Sequence, residues 1–196
     1  MVDIMEYSKN GSIEVIVGPM YAGKSEELIR RINRARIAEL EVIAFKPRID
    51  NRYCKDTITS HNGKHADCIT VDTSQDIREY IKDKEFDVLA IDEVQFFDEG
   101  LVEFCQWTAD NGKRIICSGL DMDFRAEPFQ IVPQLMSIAE HVSKLTAVCM
   151  VCKLPATRTQ RLVNGKPAKY SDPIILVGAK EDYEARCRKC HTVIKD

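Results

Sequence analysis

The chain holds 196 residues, 44% of them hydrophobic, with 28 Lys and Arg against 31 Asp and Glu, a net charge of −3 and a pI near 5.9. That size supports one full core with a small appendage, and the charge balance excludes a chain-wide basic field of the kind that draws in nucleic acid. No apolar run approaches the roughly 20 residues that span a bilayer, and Met1-Val2-Asp3-Ile4-Met5-Glu6 lacks the order of a secretion signal, so no membrane partner and a cytoplasmic location are expected.

In chain order, the apolar run Ile13 to Val17 predicts a buried strand, and it leads directly into Gly18-Pro19-Met20-Tyr21-Ala22-Gly23-Lys24-Ser25. Two glycines at this spacing let successive N–H groups turn inward on phosphate oxygens, Lys24 adds a mobile charge, and Ser25 is placed to hold Mg²⁺. The reading is a nucleoside triphosphate site; its alternative is a glycine-containing turn without a ligand. A helix follows from about Lys24 to Glu39, with Leu28, Ile29, Ile32, Ala35 and Leu40 toward a sheet and most of Arg30, Arg31, Arg34 and Arg36 on a solvated face. Residues 41–46 return as a strand, completing one βαβ unit.

The polar stretch from Pro47 to Ala66 reads as one long functional loop. A strand at Cys68 to Val71 precedes a helix from Ser74 to Lys82, capped by Thr73 or Ser74. Phe86 to Ile91 is an apolar strand ending in two carboxylates, Asp92 and Glu93. Asp92 emerges on the edge that carries the phosphate loop, where it can hold a water of a Mg²⁺ shell, and Glu93 suits a group that orients or deprotonates a nucleophile. A hydrogen-bond acceptor one layer back is the other reading of Glu93. A helix over Gly100 to Asn111, a strand over Arg114 to Gly119, and a helix around Val132 to His141 that leads into Leu145 to Val148 and the first knuckle complete the pattern. Strands alternating with helices at this spacing require crossovers, hence an α/β, mostly parallel sheet with helices on both faces and ligands at the strand carboxyl ends.

The last 48 residues differ from the rest. Residues 149–196 carry ten Lys or Arg against five Asp or Glu, a net of +5, leaving −8 for residues 1–148. They also hold two CxxC units, Cys149 with Cys152 and Cys187 with Cys190, separated by 34 residues; Cys54, Cys68, Cys105 and Cys117 stand alone. Paired knuckles in a reducing compartment read as four thiolate ligands for a structural Zn²⁺, with His191 a spare ligand and a redox pair or buried thiols the competing readings. The segment between the knuckles, with a polar loop from Asn164 to Pro173, must leave the metal and return. Two domains are expected, an ATP-binding core over 1–148 and a zinc-binding domain over 149–196.

Together the phosphate loop, Asp92-Glu-Val-Gln-Phe-Phe97, Gly119-Leu-Asp-Met-Asp-Phe124 with Pro128-Phe129, Leu145-Thr-Ala-Val-Cys149, and Tyr183 before Cys187-Arg-Lys-Cys190 resemble the type II thymidine kinases over about Ser12 to Cys190. The resemblance implies a P-loop, RecA-like core, transfer of the γ-phosphoryl group of ATP to the 5′-hydroxyl of thymidine, Mg²⁺, a structural Zn²⁺, a homotetramer and feedback inhibition by dTTP. By position it makes Glu93 the base, Lys24 and Arg52 the charges that support transfer, and the phosphate loop, Asp50, Asn51, Arg52 and the stretch Asp92, Glu93, Val94 and Gln95 the nucleotide contacts. It places Phe124 against the thymine and Tyr183 over the nucleoside, with Met20, Leu120 and Thr159 around the 5-methyl group. Ile174, Ile175, Leu176, Val177 and Gly178 correspond to the family's lasso, which reads the pyrimidine edge with its backbone and whose two ends the zinc would pin. Val94 stands where many relatives carry a smaller residue, and without the resemblance Phe124 and Tyr183 read as core aromatics.

A second function class competes with this one: an ATP-driven switch whose basic zinc lobe binds nucleic acid. Four thiolates around Zn²⁺ add −2 to that lobe and its few aromatics offer little stacking, so the expectation is a small-molecule partner and no nucleic acid.

Overall fold

The computed structural model describes residues 10–49, 57–59, 63–175 and 182–195. Ser12–Val17 forms β1, wholly buried, and runs into the glycine loop, after which Lys24–Ile37 forms α1. Val42–Pro47 (β2) is followed by the short strands Thr57–Thr59 (β3), His65–Asp67 (β4) and Ile69–Val71 (β5). Helix α2 spans Ser74–Ile81; the Thr73 hydroxyl accepts from the Asp76 amide while the Asp76 carboxylate accepts from the Thr73 amide, so both ends of a capping box are made. Val88–Ile91 (β6), a 3-10 turn at Val94–Phe96, Gly100–Asp110 (α3), Arg114–Gly119 (β7), Val132–Ile138 (α4) and His141–Lys144 (β8) follow.

Six strands form one parallel sheet in the order β5-β2-β6-β7-β1-β8. Side chains alternate across it, as a strand requires. Ile13, Val15, Val17, Leu89, Ile91 and Ile115 pack against α2, α3 and α4, while Ile16, Val88, Ala90 and Ile116 pack against Leu28, Ile29, Ile32 and Ala35 of α1. Each such large aliphatic side chain contributes about 1.5 to 3 kcal/mol on burial. Val17 lies opposite Gly119 and Ile91 opposite Cys117, so β1, β6 and β7 deliver their carboxyl ends to one edge. The C-terminal residues build smaller antiparallel sheets: Ala147–Val148 (β9) with Pro155–Ala156 (β10), and Arg158–Val163 (β11) between Lys166–Pro167 (β12) and Asp182–Arg186 (β13). Among the described residues no helix is long and apolar enough to cross a membrane.

Two expectations are corrected. The stretch from Pro47 to Ala66 is not a single loop: β3 and β4 pair as an antiparallel hairpin whose Ile58 and Ala66 are buried with α1. The helix expected to reach His141 ends at Ile138, and His141–Lys144 is the sixth strand, paired with β1. Arg30, Arg34 and Arg36 are exposed, as expected of most of the α1 arginines, and Arg31 is the exception. It is buried and donates from Nη1 to Glu14 at 2.6 Å, from Nε to Glu27 at 2.9 Å and from Nη2 to Ser143 at 2.8 Å, while Arg114 Nε donates to the other Glu14 oxygen at 2.6 Å. A carboxylate in the middle of a buried strand must be paired, and two guanidinium groups do so here.

Candidate functional site

The loop between β1 and α1 closes against the rest of the sheet edge. Gly18 has φ 148°, and a Cβ there would sit 2.5 Å from the Leu145 carbonyl oxygen, so only glycine passes beneath that residue. Gly23, in the left-handed region at φ 82°, caps α1 without any side-chain hydrogen bond, which leaves the first N–H groups of the helix facing the loop. Lys24 Nζ donates to the Pro19 carbonyl at 2.9 Å, folding its ammonium over the loop, and the Met20 amide donates to the Thr159 hydroxyl of β11 at 3.0 Å. This is an anion cradle in form.

One strand away, across β7, β6 is followed by Asp92 and Glu93. Burial and the neighbouring Glu93 charge push the Asp92 carboxyl up to about 7, against the pull of the Ser118 hydroxyl, the Glu93 amide and the Lys24 ammonium. Glu93 takes the left-handed conformation at φ 50°, uncommon for a residue with a side chain, and its amide donates to Asp92 Oδ1 at 3.0 Å. Gln95 is wholly buried; its Nε2 donates to Glu93 Oε2 at 2.5 Å and its Oε1 accepts from the Leu120 amide at 3.0 Å. Gly119 makes this possible, because a Cβ there would come within 2.6 Å of Gln95 Oε1. Val94 is buried in the core between them, and Phe97 is buried with it while Phe96 stacks edge-on to Phe129.

Past Leu120 the chain makes a compact turn built on Asp123, whose Oδ1 accepts from the amides of Arg125 at 2.8 Å and Glu127 at 3.1 Å. Burial raises the Asp123 pKa. The turn presents Phe124, itself buried, to β11. The Arg161 guanidinium lies over the Phe124 ring at 5.0 Å, that of Arg125 at 5.3 Å, and His191 Nε2 is 2.9 Å from the Phe124 carbonyl oxygen. Tyr183 of β13 stands opposite Arg161 in register, and Thr159 opposite Ala185. Gln160, also buried, clips β11 to residue 192 with two 2.8 Å bonds to the Thr192 backbone.

The four knuckle cysteines converge, with all their sulfur atoms within 4.8 Å of one another. Cys152 Sγ and Cys187 Sγ are 3.6 Å apart, near the roughly 3.8 Å that a tetrahedron of sulfurs takes at a Zn–S distance of about 2.3 Å. Burial opposes ionisation of Cys149, yet hydrogen bonds from the Cys152, Cys187 and Val151 amides bring its thiol down to about 6, while hydrogen bonding to Cys187 and the other thiols pushes Cys190 up to about 12. Four sulfurs so close cannot all ionise until a dication compensates them, and the donor set suits Zn²⁺. His191, expected as a spare ligand, instead contacts Phe124, and burial keeps its pKa below the usual histidine value. Ala22 of the phosphate loop packs on the small apolar cluster of Ala147, Cys149, Ala156 and Ala185.

The structure therefore brings Gly18 to Ser25, Asp92 to Gln95 and Leu120 to one edge, and Met20, Thr159, Phe124 and Tyr183 to the adjoining face of β11 and β13. Ile174 is exposed and Ile175 half-buried beyond Pro173. Asp50, Asn51, Arg52, Leu176, Val177 and Gly178 lie outside the described residues. Sequence reading missed Gln160, Arg161, Arg125 and Asp123; the polar run Arg158 to Arg161 in a strand, all of it buried, was the available signal.

A family model described as thymidine kinase matches residues 11–191. Among solved structures, domain III of the replication initiation protein DnaA from Thermotoga maritima aligns with 72% of this chain at 19% identity and a TM-score of 0.43, and the chain spans 58% of that structure's length. The family match covers nearly the whole chain: it belongs to the thymidine kinase family.

Proposed function

We propose that this member of the thymidine kinase family transfers the γ-phosphoryl group of ATP to the 5′-hydroxyl of thymidine, giving dTMP and ADP. The loop from Gly18 to Ser25 receives the triphosphate, and Lys24 neutralises its developing charge. Ser25 and Asp92 are the residues that would hold Mg²⁺, which screens the phosphate oxygens when bound. Glu93 takes the proton from the 5′-hydroxyl as the oxygen attacks phosphorus in line, and Arg52 supports the transferred group. Phe124 and Tyr183 enclose the base; Met20, Leu120 and Thr159 surround its methyl group; residues 174–178 read its edge. Asp50, Asn51 and the backbone from Asp92 to Gln95 complete the nucleotide contacts. Cys149, Cys152, Cys187 and Cys190 hold a structural Zn²⁺. On the same reading residues 1–148 are the ATP-binding core and 149–196 the zinc-binding domain, the enzyme is a cytoplasmic homotetramer, and dTTP inhibits it.

One observation carries this reading: Glu93 is held in an unfavourable backbone conformation, with its carboxylate fixed by a buried glutamine, between the phosphate loop and the Leu120 to Phe124 turn. A carboxylate kept there at such a cost suits proton abstraction. Against a nucleic-acid-binding lobe, two of its ten cations, Arg158 and Arg161, are buried rather than displayed. The test is a radiolabelled ATP transfer assay across the four deoxynucleosides. Thymidine is the expected acceptor, and Glu93→Gln is expected to lower kcat by about 10² to 10⁴ while ATP still binds. Retention of more than about a tenth of kcat removes Glu93 from the role of base.

A further inference from the structure

Arg161 is the largest wholly buried side chain among the described residues. A guanidinium at such depth must spend its donors and its flat faces on protein groups. Its Nη1 donates to the Pro173 carbonyl at 2.5 Å, and its guanidinium carbon lies over the Phe124 ring, 5.0 Å from the centroid. Arg125 reaches the neighbouring peptide, donating from Nη2 to the Asp172 carbonyl at 2.8 Å, and its guanidinium lies over both Phe124 and, at 4.7 Å, Tyr170. Tyr170 is fixed in turn by its hydroxyl, which donates to Glu127 Oε1 at 2.6 Å, and Asp172 by its carboxylate, which accepts from the Lys169 amide at 2.8 Å. Two consecutive carbonyls, immediately before Ile174, are thus held by two arginines that share one aromatic ring.

We propose that Arg161 and Arg125 are positioning residues for the nucleoside: together they clamp the backbone at Asp172 and Pro173 to Phe124 and so set where Ile174 and Ile175 enter the base pocket. The zinc knuckles were expected to pin both ends of this segment. The metal cluster follows β13 and holds the far end; the near end has its own anchor, made of charge-assisted hydrogen bonds and cation–π contacts. Lysine cannot replace either arginine, because a point charge cannot lie flat on the ring and reach a carbonyl in a fixed direction at once. The inference rests on the reading that places thymidine against Phe124.

The test compares the zinc-loaded full chain with Arg161→Lys, Arg161→Met and Arg125→Lys. Thymidine KM is expected to rise about tenfold or more while ATP KM stays within about twofold, the pattern of lost binding confined to one substrate. Hydrogen exchange at the Ile174 and Ile175 amides of the ligand-free protein should accelerate about tenfold in parallel. Unchanged thymidine KM, or equal rises for both substrates, overturns the proposal. If Arg161→Met fails to fold, Arg161→Lys and Arg125→Lys decide it by the same criteria. Should the wild-type protein bind no thymidine, the functional reading falls, and exchange alone decides the clamp: faster exchange in the variants supports it, unchanged exchange overturns it.

Discussion

One face of the parallel sheet buries a cluster of large aliphatic and aromatic side chains and the other a mostly aliphatic one, whereas among the described residues the cluster at the knuckles buries just Ala147, Cys149, Ala156 and Ala185. Four small side chains cannot offset the conformational entropy of ordering some forty residues at about 1 to 2 kcal/mol each. What orders the C-terminal lobe is specific chemistry: the sulfur cluster, the Gln160 clip on Thr192, and the Arg161 and Arg125 contacts. One region folds by removing area from water, the other by satisfying particular atoms. The second kind of order hangs on a few named atoms.

The sharpest way to break that comparison is to strip the metal. Chelation, or Cys149→Ser, should abolish thymidine binding and cooperative order in the lobe, since structural zinc contributes on the order of 10 kcal/mol to small domains. The sheet should still melt as one unit by far-ultraviolet circular dichroism; simultaneous loss of both regions would show that they are not separately held. The sheet has its own weak point in the Glu14 pair, and Glu14→Ala, which leaves Arg31 and Arg114 buried without their shared carboxylate, should cost about 3 to 5 kcal/mol in urea unfolding while leaving metal affinity unchanged.

A smaller effect concerns pH. The Asp92 pKa is raised by burial and by Glu93, so the folded state binds a proton that the unfolded state has already lost. In metal- and nucleotide-free protein this group's contribution to stability is therefore fullest below about pH 4 and declines as pH rises to about 7, beyond which it is flat. Asp92→Asn should remove that decline and raise stability at pH 8 by roughly 1 to 3 kcal/mol. A variant with an unaltered pH profile would show that Asp92 is not held protonated.

How much of this was legible before the structure follows from how far each signal travels along the chain. The phosphate loop, the alternation of strand and helix and the two knuckles are local patterns of glycine, apolar period and cysteine spacing, and each appears where expected. His141–Lys144 was misread because a mostly exposed edge strand carries no apolar alternation. The β3–β4 hairpin consists of two three-residue strands in a polar stretch, too short for either period to register. Arg31 could not be placed without Glu14, seventeen residues away, and Ser143, 112 away. The Gln95 bridge to Leu120 and the arginines on Phe124 belong to the same class, since tertiary hydrogen bonds leave no period in a sequence.

The bond from the Met20 amide to the Thr159 hydroxyl makes the two halves of the molecule accountable to each other. Whatever free energy an occupied phosphate loop adds to or takes from that contact must return, by thermodynamic reciprocity, as an equal change in how tightly β11 is seated. On the proposed reading, in which the loop takes the nucleotide and β11 lines the nucleoside site, this contact couples the two affinities, and a titration of either ligand against the other reads its strength.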